Sequence, residues 1–165
     1  MKLFSNYRRF ALVAIVCLLV TAGLIAGRAI VTPFTVTEIM GDTLEPGTYT
    51  FPDGNMHMRD VVKECVWTGA TDSRLNGTSR VVENGNFGKD MTGPMWGTFR
   101  SAKRGSGTWD GVWAGYFNLA QVTGEYDGTG HGGGDYEGLQ LKVHCVYTGP
   151  GPAACTGRIL DTGSH

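Results

Sequence analysis

The chain has 165 residues, 41% of them hydrophobic and 10% aromatic, with 26 glycines and a formal charge of −1. The aromatic content is enough to close a core and excludes a disordered chain, while the glycines follow no G-X-Y period, which excludes collagen, and at this density they disfavour long helices. Lys2, Arg8, Arg9 and Arg28 fall in the first 29 residues, where no acidic residue stands, so the remainder holds 10 basic and 15 acidic residues; the resulting net of −5 argues against nucleic acid and anionic membrane surfaces as partners.

Residues 1–9 are basic, and residues 10–26 form an apolar run without a charge. This is the layout of a secretory signal peptide, with Gly27, Arg28 and Ala29 offering a cleavage site. The alternative is an uncleaved hydrophobic helix acting as a membrane anchor through residues 10–26, although 17 residues fall short of the usual span of about 20. Either reading of residues 1–29 keeps the basic flank inside and places the rest outside the cytoplasm, secreted or anchored to the outer face of the cytoplasmic membrane.

Residues 30–47, punctuated by Pro33, Pro46 and Gly47, read as a linker leading into the domain. Residues 48–165 read as short strands between glycine turns: Thr48–Pro52, His57–Thr68, Gly77–Asn84, Met95–Ala102, Thr108–Phe117, Leu119–Tyr126, Leu139–Thr148 and Ala154–Leu160. Alternation supports several of them. Trp109, Trp113 and Phe117 share a face with Gly111 and Gly115 between them; Leu139, Leu141, Val143, Cys145 and Tyr147 form another apolar face; Val61, Lys63, Cys65 and Trp67 form a third. Asp53-Gly54-Asn55, Asn84-Gly85-Asn86 and Asp127-Gly128 carry turn chemistry. The predicted fold class is all-β: a single antiparallel, eight-stranded, closed β-barrel, preceded by the N-terminal hydrophobic helix.

Cys65, Cys145 and Cys155 follow the leader. A hairpin turning at Pro150 sets Cys145 opposite Cys155 and favours that disulfide, with Cys65 left as a buried thiol; Cys65–Cys145 and Cys65–Cys155 bridges are also compatible with a barrel. The histidines, His57, His131, His144 and His165, show no ligand spacing, and no Cys-x-x-Cys occurs, so neither a metal nor a cofactor is expected.

The stretch from Gly130 to Leu139 reads first as a glycine-lined bend between strands, since no Lys-Ser/Thr and no helix follow it as in a phosphate loop. Its functional reading is a rim site in which His131, Asp135 and Glu137 offer acid–base groups. Asp72 and Arg74 read as a pair that fixes a turn. Lys63 and Glu64 occupy opposite faces of one strand, so one charge points inward and needs a partner. The candidate ligand-binding residues are therefore Trp67, Trp109, Trp113, Glu64, His131 and Glu137.

Three stretches together carry a likeness: residues 67–77, residues 93–99 with 107–113, and residues 130–139. Their pattern of glycines and tryptophans resembles that of bacterial exported proteins related to the allene oxide cyclase barrel, a superfamily that also holds the plant dirigent proteins. The likeness covers roughly residues 60–162 and implies an eight-stranded antiparallel barrel with an apolar lumen. Plant members cyclise a fatty-acid epoxide or guide phenoxy-radical coupling; no position here matches their active-site residues. The expected role is an extracytoplasmic barrel that binds a small apolar molecule or serves as an envelope scaffold, with oligomers allowed. The alternative is an isomerase or cyclase acting on a lipid-like or phenolic substrate in the lumen, and the missing catalytic constellation leans against an enzyme.

Overall fold

Alternation of large apolar residues with glycine, threonine and charged residues drives nearly every described segment into strands. The computed structural model describes residues 29–101 and 107–161. The expected N-terminal helix, whether signal or anchor, lies outside them. The strands are β1 (Ile30–Glu45), β2 (Thr48–Thr50), β3 (Met56–Thr68), β4 (Gly77–Phe87), β5 (Thr92–Ser101), β6 (Gly107–Asn118), β7 (Thr123–Gly134), β8 (Leu139–Thr148) and β9 (Ala153–Asp161). Two 3-10 turns, Pro52–Gly54 and Ser73–Leu75, are the only helical elements among the described residues.

All nine strands belong to one antiparallel sheet in the order β1-β9-β8-β7-β6-β5-β4-β3-β2, and β1 also pairs with β3. That extra pairing closes eight strands into a ring. β1 achieves this by serving two neighbours along its length. Residues from Ile30 to Glu38 pair with β9, and residues from Thr37 to Glu45 pair with β3. Only Thr37 and Glu38 face both, so the seam of the ring is narrow. β2 continues along β3 after Pro46 and Gly47, with Thr48 opposite Arg59.

The segment from residue 30 to 47 is thus mostly strand rather than linker. Pro33 misleads the sequence reading. It stands opposite Arg158 where β1 has a strand neighbour on one side only, which is the place a strand tolerates proline. The loop after β3 covers part of that open edge. Thr35 N–H donates to Thr71 Oγ1 and Thr71 N–H donates to Thr35 O, both at 3.0 Å.

Two expected turns are also strand. Asn84-Gly85-Asn86 lies within β4 and Asp127-Gly128 within β7. Glycine stands there for close packing: a Cβ on Gly85 would meet the Phe87 ring at 2.4 Å, and one on Gly128 would meet Val143 at 2.9 Å. β7 likewise runs on through Gly130 and Gly132 to Gly134, so the bend shrinks to residues 135–138. Asp53-Gly54-Asn55 does turn the chain, with Asp53 at φ 52°.

β3 contains a bulge between Met58 and Val61, with Asp60 at φ 56°. The bulge changes the inward phase from Met56 and Met58 to Val61, Lys63, Cys65 and Trp67. It therefore decides that Lys63 enters the ring and Glu64 faces out. Arg59 braces it, donating to Met58 O, Gly85 O and Asn86 Oδ1 at 2.7 Å each and stacking over Trp96.

Cys145 and Cys155 stand directly opposite in the β8–β9 ladder and form a disulfide, their Cα atoms 4.1 Å apart. Cys65 is free and buried. The bridge closes a short loop, so replacing both cysteines with serine should lower unfolding stability by about 2–3 kcal/mol. Urea denaturation with and without reductant measures this. An unchanged midpoint on reduction of the native protein would show that the bridge carries no stability.

Candidate functional site

The inward residues of the ring line a partly open cavity of about 260 Å³. Aromatic and aliphatic side chains form most of its wall: Trp67, Trp109, Trp113, Phe99, Phe117, Tyr126, Met95 and Leu141 among them. Trp113 lies 5.4 Å from Tyr126 and 6.3 Å, edge on, from Phe117, ring centre to ring centre. Such tilted and edge-on contacts hold rings better than flat stacks. The loop of residues 69–76 seats Leu75 in the core at one end. Asp72 accepts from the Arg74 backbone and guanidinium, and Arg74 O in turn accepts from Trp109 Nε1 at 3.2 Å. The Asp72–Arg74 pair thus fixes a turn, as expected. It also holds the Asp72 carboxyl below its ordinary range, chiefly through the Arg74 hydrogen bond.

Two carboxylates point into this apolar space. Glu38, only 3% exposed, sits at the seam of the ring. Its Oε2 accepts from Trp67 Nε1 and from Tyr126 OH, each at 2.6 Å, and its Oε1 accepts from Tyr147 OH at 2.5 Å. Trp67 is its partner in the β1–β3 register, while Tyr126 and Tyr147 reach in from β7 and β8. One side chain therefore ties four strands together. Burial, and then the Glu38 charge, push the Tyr126, Tyr147 and Cys65 groups far up. The phenols stay protonated donors and the Cys65 thiol stays neutral, which disqualifies it as a nucleophile at ordinary pH.

Glu83, 2% exposed, is the second. Burial raises its pKa; the Lys63 charge opposes that rise and the Glu38 charge adds to it. Lys63 Nζ stands 3.2 Å from Glu83 Oε2. This satisfies an ion pair, yet the atom has no aligned hydrogen-bond donor among the described residues. Of the two neighbouring charges it is Lys63, not the candidate Glu64, that points inward, and Glu83 is its partner.

Glu38 also lies close to the sulfurs of Cys145 and Cys155. Both thiols are consumed by the disulfide, so these three groups do not form a cation site.

Of the six candidates read from the sequence, the structure brings together Trp67, Trp109 and Trp113, all on the cavity wall. Glu64 lies on the outer face, opposite Arg80 in the β3–β4 register. His131 and Glu137 are exposed, the first in β7 opposite Asp110 and Gln140, the second in the turn before β8. They do not join the tryptophans. The interior polar groups that sequence reasoning missed are Glu38, Tyr126 and the inward aim of Glu83. Alternation held the signal: Phe34, Val36, Glu38 and Met40 share a parity, as do Val81 and Glu83. No family model, curated protein or solved structure matches this chain.

Proposed function

We propose that the chain is an extracytoplasmic binding protein that holds one compact, largely apolar molecule inside its ring, which we read as a small closed barrel. The observation that carries this is the cavity of about 260 Å³, walled largely by tryptophan, phenylalanine and methionine, into which Glu38, Lys63 and Glu83 also point. Pockets for drug-sized ligands run to about 300–1,000 Å³ and are mostly apolar with a few placed polar atoms. The smaller volume favours a single ring or a short branched chain over a long acyl chain. The disulfide suits an oxidising compartment, and the basic and apolar leader supports export to one. The glycine and tryptophan pattern, which resembles that of allene oxide cyclase-like barrels, supports the same reading of the lumen.

Binding is expected to appear as saturable quenching of tryptophan emission when the full chain is titrated with 1-bromo-4-ethylbenzene, because three tryptophans line the cavity. The quenching should persist in the Trp96→Phe variant, which removes a tryptophan of the outer face. Linear quenching without saturation, or quenching lost in that variant, would contradict the proposal.

A further inference from the structure

Buried polar atoms in a folded protein almost always find a partner, so an orphan requires an explanation. Among the described residues, two buried side-chain atoms in this ring lack an aligned hydrogen-bond partner: Trp113 Nε1, and Glu83 Oε2, which has only the ion pair to Lys63. Their residues are 7% and 2% exposed, and both line the same cavity. An indole N–H can only donate, and a carboxylate oxygen accepts. One orphan therefore needs an acceptor and the other needs a donor.

The register places them together. Glu83 stands opposite Gly97 in the β4–β5 ladder, and Gly97 stands opposite Trp113 in the β5–β6 ladder. The three form one row across neighbouring strands, with both large side chains aimed inward. Gly97 contributes no side chain between them. A Cβ built there would lie 3.0 Å from Trp113 Nε1, so the indole nitrogen leans over the glycine toward the strand that carries Glu83.

From this geometry we infer that Trp113 and Glu83 form a subsite over Gly97 for the hydroxyl group of an otherwise apolar ligand. A hydroxyl is the smallest organic group that answers both orphans at once. Its oxygen accepts from Trp113 Nε1–H and its O–H donates to Glu83 Oε2. A carboxylate oxygen has two lone pairs, so Lys63 Nζ, 3.2 Å from Glu83 Oε2, leaves that oxygen able to accept from a second donor. A hydrocarbon in the same place leaves Trp113 Nε1 unpaired and Glu83 Oε2 with Lys63 alone, and that is what gives the site its selectivity. The inference rests on the proposed binding role and assigns the polar end of the ligand within it.

The test compares two probes of the same shape on the full chain by titration calorimetry at pH 7: 4-bromobenzyl alcohol and 1-bromo-4-ethylbenzene. The alcohol is expected to bind about tenfold tighter, the yield of two net hydrogen bonds of modest strength. In Trp113→Phe, which keeps an aromatic wall but removes the donor, the preference should shrink to about threefold or less. Glu83→Gln, which adds an amide N–H next to the hydroxyl, should also reduce it. Equal affinities of the two probes for the unaltered chain would overturn the hydroxyl subsite while leaving the apolar cavity standing. A preference unchanged in both variants would overturn it too. If neither probe bound, the binding role itself would fall with it.

Discussion

Replacing Glu38 with alanine is expected to lower unfolding stability by about 3–5 kcal/mol, the cost typical of removing one member from a buried charged network. The carboxylate receives three donors, from Trp67, Tyr126 and Tyr147. Alanine leaves three polar groups without their acceptor, two of them on buried tyrosines. It also opens the place where β1 passes from β9 to β3, because Glu38 is one of only two residues paired to both. Tyr126→Phe and Tyr147→Phe each remove one donor and leave the carboxylate two, so each should cost about 1–2 kcal/mol. Urea unfolding of the four proteins measures the series. A loss under about 1 kcal/mol for the alanine variant would mean that the cluster does not hold the seam.

Gly97→Ala is expected to cost about 3 kcal/mol, the upper end of what overpacking usually takes. The added Cβ would meet Val82 O at 1.7 Å and Trp113 Nε1 at 3.0 Å. The first of these is backbone of the neighbouring strand, which cannot swing aside as a flexible side chain can. Gly41→Ala provides the comparison. There the nearest atom, Glu64 O, is 3.2 Å away, and a shift of a few tenths of an ångström relieves the contact. Thermal unfolding should separate the two variants widely. Similar melting temperatures would show that the β4–β5–β6 row is looser than its geometry indicates.

These two residues also mark what the sequence revealed and what it concealed. The alternation of Trp109, Gly111, Trp113, Gly115 and Phe117 announces an inward face that alternates bulk with space, and β6 has that face. The Gly-Pro turn centred on Pro150 set Cys145 opposite Cys155, and the β8–β9 ladder has them so. The local pattern misled where one residue carried two meanings. Pro33 reads as a breaker but sits on an open strand edge, so β1 and with it Glu38 disappeared into a linker. Gly85, Gly128, Gly130 and Gly132 read as turn or bend, yet they are strand residues against which side chains or backbone pack closely. The phase of β3 depends on a one-residue bulge at Asp60, which favours no residue pattern strongly enough to be foreseen. Polar candidates chosen by local novelty, such as His131 and Glu137 in the glycine stretch, ended on the outside. Register over long separations, from residue 38 to residue 147, assembled the interior polar groups, and local sequence carries little of that information.

Crystals of the chain soaked with 1-bromo-4-ethylbenzene and measured at the bromine absorption edge would show whether the ring holds an apolar ligand. One strong anomalous peak is expected inside the ring, among Trp67, Trp113 and Phe117. A peak only on the outer face beside Trp96 and Val112, or an interior filled by its own side chains, would contradict it.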